Sequence, residues 1–131
     1  MPPLTPHLFV ADMAASIAFY RDGMGFEVTR AEPPENPTYA SLQRGDSQIM
    51  LSPFGADFEG WVLGAAARER RGQGGAISLY IEGRDLPAEQ ERAIAHGGTL
   101  VDPLRPRPWG QDEFTIADPN GFWWSVWRAI R

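Results

Sequence analysis

The chain has 131 residues, enough for one ordinary domain, and a 43% hydrophobic content sufficient to bury a core. It has no cysteine and no lysine, which excludes disulfides, thiolate nucleophiles, Cys-based metal sites and lysine Schiff bases. The formal charge of −5 repels phosphate backbones and draws cations, so a cationic ligand is the expected kind of partner and nucleic acid is not.

No membrane partner is expected either. The start, MPPLTPHLFVADMA, lacks the basic and apolar parts of a signal peptide. The longest run of small or apolar residues, WVLGAAA, is far short of the roughly eighteen that span a bilayer. A cytoplasmic location is the expectation. Five tryptophans are many for this length, and four of them lie in the last twenty-three residues.

In chain order, alternation from Thr5 to Ala11 predicts a strand. Asp12 is placed to cap a helix with Met13, Ile17, Tyr20 and Met24 on its apolar face, ending near Gly23 and Gly25. Strands are predicted over Phe26 to Arg30 and Tyr39 to Gln43, with the proline-rich AEPPENP as the loop between them. Arg44-Gly45-Asp46 reads as a hairpin turn into a strand over Gln48 to Ser52.

The pattern then returns. Leu79, Tyr80 and Ile81, in a strand over Ala76 to Glu82, sit 71 places after Leu8, Phe9 and Val10. Asp85 caps a second helix with Pro87 in its first turn, and His96-Gly97-Gly98 ends it. Strands over Thr99 to Asp102 and Glu113 to Ala117 follow. The turn Asp118-Pro119-Asn120-Gly121 leads into a last strand, Phe122 to Trp127. The expected class is α+β, a single domain over 1–131 built from two βαβββ repeats, 4–52 and 76–131. The linker, 53–75, carries Phe54, Phe58 and Trp61, which either form plain surface or roof a pocket.

Two stretches carry a family resemblance. PHLFVADMAASIAFYRDGMGFEV and PWGQDEFTIADPNGFWWSVW resemble the opening and closing segments of the vicinal oxygen chelate superfamily, the glyoxalase/bleomycin-resistance group. The resemblance covers essentially the whole chain and implies a curved mixed sheet. It leaves the activity open, since this scaffold hosts several chemistries. Metal-dependent members place a His, Gln or carboxylate ligand at four equivalent points, which correspond here to Thr5, Met50, Ala76 and Ser125. None is a competent ligand for such a cation, so neither metal nor other cofactor is expected. Of the two histidines, His96 fits a helix C-terminus and His7 a polar pocket or core position.

With those four positions on the inward face, period-two alternation adds their neighbours. The expected ligand-binding residues are His7, Phe9, Met50 and Ser52 from repeat one, with Gln48 beside them. Repeat two supplies Ser78, Tyr80, Trp123, Ser125 and Trp127; Trp109 lies near the rim and Trp61 in the linker. Phe122, Trp124 and Val126 are expected to face the core. Such an aromatic surface with a few polar groups suits a binding pocket. Resistance members of the group sequester bleomycin-type drugs in grooves of a dimer without catalysis, which makes a non-catalytic homodimer the resemblance's leading implication. An enzyme of the same superfamily with non-standard metal ligands, or with His7 as general base, is the alternative. A structural or regulatory dimer with a filled cavity is a third reading.

Overall fold

The computed structural model describes residues 2–54 and 77–130. Among these residues eight strands form two four-stranded mixed sheets. The first contains β1 (His7–Val10), β2 (Glu27–Glu32), β3 (Tyr39–Arg44) and β4 (Ser47–Pro53), in the order β1-β4-β3-β2. The second contains β5 (Ser78–Glu82), β6 (Thr99–Arg107), β7 (Gln111–Ala117) and β8 (Trp123–Ala129), in the order β5-β8-β7-β6. The arrangement is the same in both halves: one parallel pair, then two antiparallel pairs. The α+β repeat expected from the sequence is therefore present.

Each first strand is followed by a capped helix. The Asp12 carboxylate accepts from Ala15 N at 3.0 Å and starts α1 (Met13–Ala18), where alanines at 14, 15 and 18 favour helix. The helix then widens into a π-helical turn, Phe19–Gly23. The consecutive rings of Phe19 and Tyr20 are both fully buried there. Asp85 caps α2 (Leu86–Ala95) through Ala88 N, with Pro87 in the first turn. Glu89 adds a second cap by accepting from Arg84 N and Asp85 N. Gly97, at φ 105°, ends that helix, and His96 is the exposed C-cap. Gly98 is required by space as well, since a Cβ there would lie 2.7 Å from Ile116 and 2.9 Å from Phe19.

The main departure is β6. The sequence suggests an end at Asp102, before Pro103, but the strand continues to Arg107 through both Pro103 and Pro106. It lies at the sheet's edge, where a missing N–H costs no ladder bond, and its register shifts between Leu100 and Arg105 absorb the irregularity. At the other end of the chain, β1 begins at His7, so Thr5 precedes it. The predicted strand start at Ala76 lies outside the described residues, as does most of the linker.

One face of each sheet packs against the helices. Leu8, Val10, Leu42, Ile49 and Leu51 from the first sheet join Ile81, Phe114, Ile116, Trp124 and Val126 from the second, with Met13, Ile17, Phe19, Tyr20 and Leu86 between. Burying each such side chain contributes about 1.5–3 kcal/mol. Trp124 is 4% exposed, with its ring 5.7 Å from Tyr20 and 5.8 Å from Phe26, so it belongs to the core that joins the repeats. Phe122 packs at the core's margin.

Polar contacts join the repeats too. Arg44, at the hairpin end of β3, donates to Met24 O and Glu82 O and pairs with Glu89 at 2.7 Å. The Asp118-Pro119-Asn120-Gly121 turn reaches back to the start of the chain. Asn120 accepts from Ala11 N and donates to Ser16 Oγ, while Asp118 accepts a hydrogen bond from the Tyr20 hydroxyl. Trp124 Nε1 in turn donates to Tyr20. Among the described residues no helix is long and apolar enough to cross a membrane.

Candidate functional site

With one face of each sheet spent on the core, strand alternation assigns the chemistry to the other. On the first sheet His7 pairs with Met50 and Phe9 with Ser52, which brings these four predicted residues together. His7 Nε2 lies 2.9 Å from Ser52 Oγ, and its ring is 4.5 Å from that of Phe9. Burial lowers the His7 pKa from its ordinary 6.5, which favours the neutral imidazole. Gln48 donates to Ser41 Oγ at 2.8 Å, and Thr29 hydrogen-bonds the same residue from β2.

On the second sheet Ser78 pairs with Trp123, and Tyr80 with Ser125. Trp127 stands across from Glu82 on one side and Glu113 on the other. Ser125 Oγ is buried between two hydroxyls, Ser78 at 3.0 Å and Thr115 at 2.8 Å. Tyr80 is 54% exposed, Trp123 37% and Trp109 61%, so this face presents large aromatic surfaces to solvent. Trp61 falls outside the described residues.

The sequence reading missed Glu113, although it placed that residue in a strand. Glu113 is 4% exposed. Its carboxylate accepts from Tyr80 Oη at 3.1 Å, Trp109 Nε1 at 3.0 Å and Gln111 Nε2 at 3.1 Å. Burial pushes its pKa up, but these three donors and the nearby Arg107 charge outweigh it, and the group stays below its ordinary value. Arg107 is buried beneath, bonded to Glu113 O and paired with Asp102 at 2.9 Å, with its Nε unpartnered among the described residues. The missed signal was alternation: Glu113 and Thr115 lie on the Ser125 and Trp127 face once β7 is paired with β8. Trp109, in the turn that leads into β7, joins the site through Glu113.

At the positions where the resemblance would put metal ligands, the described residues carry no imidazole or carboxylate. Thr5 Oγ1 is bonded to Pro2 O, Met50 offers a thioether, and the Ser125 hydroxyl is shared with two others. Ala76 lies outside the described residues. Pairing also makes Ser52 the counterpart of Ser125, because Phe9 and Tyr80, 71 places apart, are their respective partners.

The profile of the Glyoxalase/Bleomycin resistance protein/Dioxygenase superfamily matches residues 4–126. The chain belongs to that superfamily. An uncharacterized protein of Mycobacterium bovis is 29% identical over 133 aligned residues, covering 99% of this chain and 85% of its own length. Among solved structures, a glyoxalase-related enzyme from Fulvimarina pelagi superposes with TM-score 0.73 at 22% identity, covering 97% of this chain and 88% of that one. A bleomycin-binding protein from Streptomyces verticillus, solved with copper(II)-bleomycin, gives TM-score 0.60 at 22% identity, covering 100% and 98%. At such identities the structural likenesses speak for the superfamily fold alone.

Proposed function

We propose that this glyoxalase-superfamily protein binds and sequesters a small flat aromatic or cationic molecule, of the bleomycin antibiotic kind, without catalysis. The observation that carries the reading is the core-averted face of the second sheet. There Tyr80, Trp123 and Trp109 offer exposed ring surface, while the polar groups between them are already engaged with one another. Stacking on such rings contributes about 0.5–1.5 kcal/mol per contact. The fold shared with a bleomycin-binding protein supports the same choice of ligand. A binder of this kind acts as a homodimer, which would cover aromatic surface now open to water.

Titration of the protein with a bleomycin-class drug, followed by tryptophan fluorescence, tests the proposal. Saturable quenching with one ligand per site is expected. No change up to high micromolar drug would reject this ligand class.

One contact favours a second reading, an enzyme of the same superfamily. His7, whose burial favours the neutral form, lies 2.9 Å from the Ser52 hydroxyl, the geometry of a general base beside a proton donor. Turnover that disappears in His7→Ala, in a variant that still binds the ligand, would establish that reading instead.

A further inference from the structure

We infer that the surface around Glu113 is a subsite for a quaternary ammonium group, held against the rings of Tyr80 and Trp109 above a buried carboxylate. The inference rests on the ligand-binding reading and names the chemistry of one end of the ligand.

The charge comes first. Glu113 is held ionised inside the protein, and among the described residues no Arg or His nitrogen comes within ion-pair distance of its carboxylate. Its nearest cation, Arg107, is engaged with Asp102 at 2.9 Å. Tyr80, Trp109 and Gln111 are neutral donors, which disperse the negative charge without cancelling it. A carboxylate in this state projects an attractive field for a cation through the surface above it.

The rings decide how that cation is received. Tyr80 and Trp109 both point their polar hydrogens at Glu113, and both remain more than half exposed. Donation to a carboxylate pushes electron density into the phenol and indole π systems, which strengthens their attraction for a cation. Trp127 flanks Glu113 on the same face, across the β7–β8 pair.

Hydrogen-bond capacity then selects the kind of cation. Oε1 of Glu113 already accepts two bonds and Oε2 one, and the carboxylate is buried. A primary ammonium would bring three N–H donors with little to receive them and would lose its water. A quaternary ammonium has no N–H and spreads its charge over methyl groups, which suits ring faces above a fixed negative charge.

The test compares choline with its neutral isostere, in which a tert-butyl group replaces the trimethylammonium. Each is titrated into the full chain and followed by tryptophan fluorescence and by the indole N–H resonance of Trp109. Choline is expected to bind about tenfold more tightly than the isostere. That preference is expected to disappear in Glu113→Gln and to weaken in Tyr80→Leu, whose side chain is exposed enough to be replaced without unfolding. Should Glu113→Gln not fold, Tyr80→Leu and Trp109→Leu decide the matter together. Equal affinity for the two probes, or a preference that survives in the folded variants, overturns the inference. Neutral planar heterocycles separate it from the broader reading. If they bind while choline shows no preference, the cation subsite is wrong and sequestration stands. If choline shows the full pattern while a bleomycin-class drug fails to bind, the subsite stands and the drug assignment falls.

Discussion

Burial alone would lift the Glu113 carboxyl above its ordinary 4.5, yet hydrogen bonds from Gln111, Trp109 and Tyr80 and the Arg107 charge bring it below that value. A folded-state pKa below the unfolded one means that this group stabilises the fold fully above the ordinary carboxylate range. The contribution is lost as pH falls through the folded value. Asp118 acts in the opposite sense: burial raises its pKa despite the bonds it accepts, so its charged form is disfavoured and its contribution grows as pH falls. Urea midpoints of the wild type and Glu113→Gln, compared from neutral to acid pH, are expected to converge on the acid side. A difference that stays constant with pH would mean that Glu113 acts by shape and not by charge. Its role was hard to read from the chain because Tyr80, 33 residues away, meets it only through the fold, even though Gln111 and Trp109 stand close by in sequence. His7 and Ser52, 45 residues apart, became neighbours for the same reason.

Between elements, the contact that matters most runs from the π-helical turn to the turn before β8. Tyr20 receives a hydrogen bond from Trp124 and gives one to Asp118, whose other oxygen caps Asn120 N and Phe122 N. Tyr20→Phe keeps the ring and strands both Asp118 Oδ2 and Trp124 Nε1 in the core. An expected loss of about 1–3 kcal/mol in urea unfolding follows from leaving buried polar groups unpaired. An unchanged midpoint would show that water replaces the hydroxyl. The succession of strands and helices along the chain and both helix caps were legible in the sequence, since alternation, Asp12, Asp85 and the paired glycines are local signals. The extent of β6 was not. Proline usually ends a strand, and only the edge position of β6 removes the penalty at Pro103 and Pro106. The π-helical turn also escaped notice, because a regular helical spacing of Ile17, Tyr20 and Met24 does not distinguish it.

For the whole molecule, exposed Trp123 and Ile77 beside β5 and β8 argue for association. Light scattering at micromolar concentration is expected to give twice the chain mass; a monomer would contradict the homodimer. The duplicated architecture was the easiest global feature to read, because a 71-residue echo survives in the sequence itself. The Asp118–Asn120 turn carries a further consequence for how that architecture is reached. It fastens Ala11, Ser16 and Tyr20, so α1 obtains its last partners from residues synthesised about a hundred positions later. A chain emerging from the ribosome therefore holds its first repeat unfastened until the second is nearly complete. Loop closure on that scale slows folding relative to a fold of local contacts. Nascent repeat one, with the Tyr20 hydroxyl unpaired and its apolar side open, is the stage at which the protein is most open to misassociation.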